Sequence, residues 1–245
     1  MEKPKIALVT GAAGTMGMAV TEMFVAEGID VVMVDIVEDK LKSAAERLGA
    51  KAHPYAFDIS DPDLVEKSVQ RILQEVGPVT ILVNNAGILS NNKLMQTTPE
   101  EWNRVLAVNL SGAFYLSKAV LPGMRSAGWG RIINTSSYAA KCGGITAGTA
   151  YAVSKGGLIT LTFSIAAETL RDGITVNGIA PVWVKTPMVT EQLTEEQRQQ
   201  VIAKIPVGRF CEPDEFAHVV GFLASEKSGF ITGEIVDLNG GIHFD

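Results

Sequence analysis

Four apolar residues, Ile6-Ala-Leu-Val9, run straight into a glycine-rich turn. A run that short, bounded by a turn signal, predicts a strand buried on both faces. After Thr10-Gly-Ala-Ala-Gly-Thr-Met-Gly17, apolar residues recur at helical spacing to Glu27. The alternation then repeats. Residues 31–34 predict a second strand closed by Asp35, and residues 38–48 a helix stopped by Gly49. Residues 52–57 predict a third strand, and Asp61-Pro62 opens a helix with proline at its first position. Residues 80–83 predict a fourth strand, ending in Asn84-Asn-Ala-Gly87. Thr98-Pro-Glu-Glu101 has the form of a capping box and predicts a long helix through Asn109 toward Met124. A fifth strand is predicted at 131–135, a helix from Tyr151 to about Leu170, and a sixth strand at 174–179. Thr194-Glu-Glu-Gln197 caps a short polar helix, Glu212-Pro213 opens another to about Leu223, and residues 234–238 predict the last strand.

Strands alternating with helices from end to end predict an α/β protein. The expected form is one Rossmann-type, doubly wound parallel sheet of about seven strands, with helices on both faces. No linker or repeat divides the chain, so residues 1–245 are read as a single domain. The polar segment at 186–209 interrupts the alternation and is expected to pass over a site.

Composition narrows the function. The chain is 47% hydrophobic and its net charge is −6, with no basic run. A mean hydropathy of +0.20 fits a large packed core. Nucleic acid and anionic membrane are therefore not expected partners. Cys142 and Cys211 make no metal-like spacing, and His53, His218 and His243 are scattered, so no metal site is expected. The apolar run at 6–9 is too short for a signal-peptide core or a membrane span, which points to the cytoplasm.

Two clusters carry chemistry. The first is the glycine turn between strand and helix. Amides at a helix N-terminus attract phosphate, and glycines let a pyrophosphate come close. Asp35 follows 18 residues after Gly17, at the end of the second strand, where a carboxylate can hold two ribose hydroxyls. Asp58 and Ile59 end the third strand and are placed to border an adenine. The second cluster is Tyr151-Ala-Val-Ser-Lys155. Four residues apart on a helix, Tyr151 and Lys155 share a face. A nearby ammonium favours a phenolate and is expected to lower the tyrosine pKa, which suits a general acid/base. Ser137, just beyond the fifth strand, is placed to bond the same substrate oxygen.

With these residues in hand, the chain resembles the classical short-chain dehydrogenase/reductase family over its whole length. Thr10 to Gly17 is similar to that family's glycine turn, Asn84 to Gly87 to its Asn-Asn-Ala-Gly segment, and Ile231-Thr-Gly233 to its C-terminal Ile-Thr-Gly. Asn109, Ser137, Tyr151 and Lys155 fall at its catalytic tetrad. Residues 177–186 resemble its Asn-x-Ile-x-Pro-Gly segment. The resemblance implies that Tyr151 is the acid/base, that Lys155 lowers its pKa and holds the nicotinamide ribose, that Ser137 positions substrate, and that Asn109 supports a proton relay. It implies cofactor contacts from Gly11, Gly14, Thr15, Met16 and Gly17 in the turn. Further contacts are implied from Asp35, Ile36, Asp58 and Ile59, from Asn85, Ala86 and Gly87, and from Tyr151 and Lys155. Pro181, Val184 and Thr186 complete the set. It also implies a homotetramer.

Three departures stand out. Thr15 replaces the family's second turn glycine and should have negative φ. Val182 stands where Pro-Gly is usual. Ser137 lies 14 residues before Tyr151, one more than the family spacing, which leaves Ser136 as a second candidate.

The loop at 138–149, Trp183, Met188 and residues 88–93 are expected to line the substrate pocket. Lys141 reads as a solvated loop lysine and His243 as an exposed tail. Trp183 is open between substrate contact and core packing. The leading expectation is an NAD(H)-dependent oxidoreductase that interconverts a small secondary alcohol and a ketone. The alternative within the family is a 3-oxoacyl-thioester reductase, a branch that usually uses NADPH. No basic residue near Thr15 or just after the second strand supports NADPH. A nucleotide-sensing protein without chemistry is the reading from outside the enzymes.

Overall fold

The computed structural model describes residues 5–144 and 145, 147–187, 191 and 194–244. Seven parallel strands form one sheet in the order β3-β2-β1-β4-β5-β6-β7. They are β1 (Ile6–Thr10), β2 (Asp30–Asp35), β3 (Ala52–Ala56), β4 (Ile81–Asn84), β5 (Gly130–Thr135), β6 (Ile174–Pro181) and β7 (Ile235–Leu238). The helices are α1 (Thr15–Ala26), α2 (Glu38–Leu48), α3 (Pro62–Glu75), α4 (Pro99–Leu106), α5 (Gly112–Ala127), α6 (Tyr138–Lys141), α7 (Thr149–Thr169), α8 (Glu195–Ile202) and α9 (Pro213–Ala224). Most predicted elements appear within a residue or two of their expected bounds.

Period-two alternation divides the strand side chains between two cores. Leu8, Val32, Val34, Leu82, Ile132 and Val176 face α3, α5 and α7. Val9, Val31, Met33, Val83, Ile133 and Ile179 face α1, α2 and α9, where Phe24, Leu41 and Phe216 fill the space. Apolar runs without visible alternation are therefore what a sheet covered on both faces requires. The strand order reverses between β1 and β4. In open α/β sheets ligands bind at that point, beyond the carboxyl ends of the strands.

Three local features differ from the expectation. The long helix through Asn109 is broken by a π-helical turn, Ala107–Ser111, between α4 and α5. The Thr98 cap forms only half of a box. Thr98 accepts from the Glu101 amide at 3.2 Å, but the Glu101 carboxylate accepts from Ser90 Oγ and from Asn92 Nδ2 at 2.8 Å. It thus ties the loop after β4 to α4. The loop at 138–149 begins with α6, which Ser137 caps through its own hydroxyl. The full capping boxes sit instead at Thr194 with Gln197 and at Glu212 with Glu215.

Among the described residues, two helical stretches are long and apolar enough to cross a membrane, Pro99–Ala127 and Thr149–Thr169. Here both lie on the sheet, and they leave Phe114, Val153 and Phe163 exposed on their outer sides.

Candidate active site

The turn between β1 and α1 is built by close backbone approach. Gly11 has φ +65°, and a Cβ there would lie 3.0 Å from the Ala86 backbone. A Cβ on Gly17 would lie 2.2 Å from the Gly11 carbonyl oxygen. Both positions therefore require glycine. Gly14 is the N-cap of α1 in extended backbone, Thr15 and Met16 open the helix, and Thr15 avoids positive φ as expected. Thr10 welds this turn to the next strand. Its hydroxyl accepts from the Asn85 and Ala86 amides, each at 2.9 Å, and the Asn85 side chain donates to the Thr10 carbonyl at 3.0 Å.

Asp35 is fixed by the same turn. Its carboxylate accepts from the Ala13 amide at 3.1 Å and from the Val37 amide at 3.2 Å. With Gly11, Ile36, Asp58, Ile59 and Ala86 it lines a cavity of about 140 Å³. Arg104 lines it too, which sequence reasoning missed, because nothing in the chain order links α4 to the end of β3. Its guanidinium bonds Asp58 at 3.1 Å and Ser60 at 3.0 Å. Burial raises the Asp58 pKa, but hydrogen bonds from Ser60 and Arg104 outweigh it and hold the group below the usual carboxylate value.

A second cavity, about 270 Å³, adjoins the first through Gly87 and Ile88. Ser137, Tyr151, Lys155, Met16, Asn85, Pro181, Val184 and Thr186 line it, together with Ile88, Leu89, Tyr138, Ala147 and Trp183. Met188 lies outside the described residues.

The Ser137 hydroxyl lines the same cleft as the Tyr151 phenol and acts to favour its ionised form. The neighbouring Ser136 is turned away. It is buried and donates to the Lys155 carbonyl at 2.8 Å. Asn109, at 1% exposure, accepts from the Ile88 amide at 2.8 Å and donates to the Ile88 carbonyl and to Ser154 Oγ, each at 3.0 Å. Its side chain thus brackets the loop after β4 and pins it to α7. The π turn is what swings Asn109 to that place. Lys155 donates from Nζ to the Thr135 carbonyl at 2.7 Å and lies 5.8 Å from the centre of the Tyr151 ring. Gly87 keeps the space between Lys155 Nζ and Asn109 Oδ1 clear.

The electrostatics overturn one expectation. Tyr151 is not lowered by its cation. Burial raises its pKa, and the Ser137 hydroxyl only partly opposes this. Burial also pushes the Lys155 pKa down to about 8. Desolvation disfavours each charged form, and here it outweighs attraction across the gap.

The lysine carries a testable cost. Its folded pKa lies below the unfolded value, so the unfolded state holds more protons as pH rises from about 8 toward ~10.4. Stability from this group therefore increases with pH across that window, and at neutral pH the buried ammonium costs on the order of 3 kcal/mol. Lys155→Met removes that cost and strips the Thr135 carbonyl of a donor, which costs ~1–2 kcal/mol. The variant is expected to be at least as stable as wild type at pH 7, to lose its advantage by about pH 10, and to turn over at least ~100-fold slower. Urea melts at both pH values check this. A pH-independent difference would show that Lys155 is not the titrating group.

Two expectations about the pocket rim are corrected. Lys141 is not a solvated lysine. It pairs with Asp237 on β7 at 2.7 Å, and the two side chains are only 13% and 17% exposed. His243 is not a loose tail. Its ring meets Tyr138 at 5.9 Å between centroids, and its carbonyl accepts from Asn239 at 2.9 Å. Both contacts fasten α6, the turn that carries Ser137, to the C-terminal segment. Of the two readings left open for Trp183, the structure shows the packing. It lines the cleft and packs on the cluster of Ile205 and Phe210.

Comparison with known proteins agrees with the geometry. The family profile described as enoyl-(acyl carrier protein) reductase, of the short-chain dehydrogenase type, matches residues 11–243. The chain is 39% identical over 241 residues to the 3-oxoacyl-acyl-carrier-protein reductase FabG of Thermotoga maritima, covering 97% of each chain. It is 42% identical over 240 residues to the enzyme of that name from Salmonella typhimurium, covering 98% of this chain and 97% of the relative. The figure for the Escherichia coli protein of that name is 41%, with the same coverage. The chain belongs to the short-chain dehydrogenase/reductase family of oxidoreductases.

Proposed function

We propose that the protein reduces the ketone of a 3-oxoacyl thioester to the 3-hydroxy compound with NADH. The observation that carries the chemistry is the gathering of Ser137, Tyr151 and Lys155 in the lining of one cleft, which adjoins the cavity of Asp35. The names of the full-length relatives supply the substrate class, and they favour it over the plain alcohol/ketone exchange that the residues alone suggested.

The residues present suit a dinucleotide. Gly11 and Gly17 let the turn at the start of α1 pack tightly on itself and on Ala86, and Asp35 offers acceptors to ribose hydroxyls. When bound, the nicotinamide supplies a hydride to the ketone carbon. Tyr151 gives its phenolic proton to the ketone oxygen, so that a C–H and an O–H bond form together. A phenol held protonated by burial is prepared as that acid. Ser137 bonds the same oxygen and orients it. Lys155 stabilises the phenolate left behind, and Asn109 acts as a positioning residue through Ile88. Val184 and Thr186 line the same cleft and in this reading would meet the cofactor. The exposed apolar residues Phe114, Val153 and Phe163 on α5 and α7 suit a partner subunit, so a homotetramer belongs to this reading.

The test is NADH consumption, followed at the reduced-nicotinamide band. A short 3-oxoacyl thioester is compared with simple ketones of equal length. The thioester is expected to be used at least ~10-fold more efficiently, a difference of about 1.4 kcal/mol. Equal or better use of plain ketones would return the protein to the alcohol dehydrogenases.

A further inference from the structure

Trp183 is held in a backbone conformation that its own side chain disfavours. Its φ is +43°, and among the described residues it is the one non-glycine at positive φ. The left-handed region is disfavoured for an ordinary L residue and suits a bulky one poorly. A conformation of this kind persists only where its surroundings determine it.

Here they do. The Val182 amide donates to the Leu238 carbonyl at 3.0 Å, and the Cys211 amide to the Trp183 carbonyl at 3.2 Å. The Lys185 amide donates to the Cys211 carbonyl at 2.8 Å, and Val184 pairs with Cys211 as an isolated parallel bridge. Trp183 is thus clamped between β7 and the segment before α9. Behind it stand the buried Ile205 and Phe210. In front is the cleft that also contains Ser137 and Tyr151.

Glycine at this position would satisfy the same backbone bonds without strain. The backbone therefore gives no reason for tryptophan. Packing gives only a partial one, because the residue is partly buried, set against Ile205 and Phe210 and also bordering the cleft. Strain at a cleft wall, in a large rigid residue that lines the same cleft as Ser137 and Tyr151, points to selection by shape.

We propose that Trp183 is a specificity-determining residue whose indole forms a fixed wall of the substrate cleft and limits the bulk accepted beside the reacting carbonyl. This rests on ketone reduction at Tyr151, and not on the thioester.

The experiment compares two substrates, one unbranched and one carrying a methyl branch on the carbon next to the ketone. Each is used as a thioester and as a plain ketone. The ratio of kcat/KM, unbranched over branched, is measured for wild type, Trp183→Gly, Trp183→Asn and Trp183→Phe. Asparagine tolerates positive φ and keeps the test alive if the glycine variant folds poorly. One methyl group in a pocket is worth roughly 10- to 200-fold. The ratio is expected to fall at least ~10-fold in the glycine and asparagine variants and to stay within about threefold of wild type with phenylalanine. A tryptophan that served packing alone would lower both substrates together, and a ratio unchanged within twofold in the small variants would overturn the proposal. If only the plain ketones react, the thioester assignment fails while the ketone ratio still decides the role of Trp183.

Discussion

Tyr151→Phe is expected to lower turnover by ~100- to 10,000-fold while leaving cofactor affinity within a few-fold, because it removes a proton donor and little else. The ring stays on α7, and the aromatic packing above Lys155 is kept. What disappears is the phenolic hydroxyl in the cleft that Ser137 also lines. Burial makes the test clean. With its pKa raised, the wild-type phenol stays protonated through the neutral range, so the variant differs by one transferable proton and not by a charge. Stability should change little, and a buried hydroxyl lost with its partner left behind costs ~1–2 kcal/mol at most. Single-turnover kinetics with cofactor titration would check both halves. Near-normal turnover would place the acid elsewhere and leave Ser137 and Tyr151 as parts of the cleft wall.

The second large effect is cofactor choice. The protein is expected to use NADH over NADPH by at least ~100-fold in kcat/KM, about 2.7 kcal/mol. Asp35 is the cause. Two backbone amides, from Ala13 and Val37, hold its carboxylate at the mouth of the nucleotide cavity. Turning it aside for a 2′-phosphate would break both bonds. Leaving it in place would set two negative groups together, which costs on the order of several kcal/mol. The positive charges nearby do not offset this. Arg104 bonds Asp58 and Ser60, and Lys42 pairs with Glu38 at 2.7 Å out in α2. Asp35→Ala should erode the preference chiefly by weakening NADH. Equal use of the two cofactors by the wild-type protein would refute this role for Asp35.

Much of the architecture was legible because it depends on neighbours in sequence. Buried strands need apolar runs, and the helix starts at Asp61-Pro62, Thr194 and Glu212 need caps within three residues. The glycine turn and Asp35 announced a dinucleotide because one crossover unit contains the turn, the helix and the acid. Tyr151 and Lys155 share a helix face by spacing alone. Thr98 shows the limit of such reasoning. Glu101 had the right offset for a capping box, yet Ser90 and Asn92 outcompeted the local amide.

The sequence by itself determined the parallel sheet, its two covered faces and the chemical types gathered at its carboxyl edge, since these follow from periodicity and from residues a few positions apart. Only the tertiary structure decided what depends on burial and on distant partners. That Ser136 bonds the Lys155 carbonyl while Ser137 caps α6 hung on which way each hydroxyl turns at the end of β5. The direction of the Tyr151 and Lys155 pKa shifts hung on desolvation, which a spacing of four residues does not reveal. Arg104 came to the nucleotide cavity, Lys141 to Asp237 and His243 to Tyr138 across 46, 96 and 105 residues of chain. Such meetings are set by how the whole sheet stacks its helices and loops, and no local pattern encodes them.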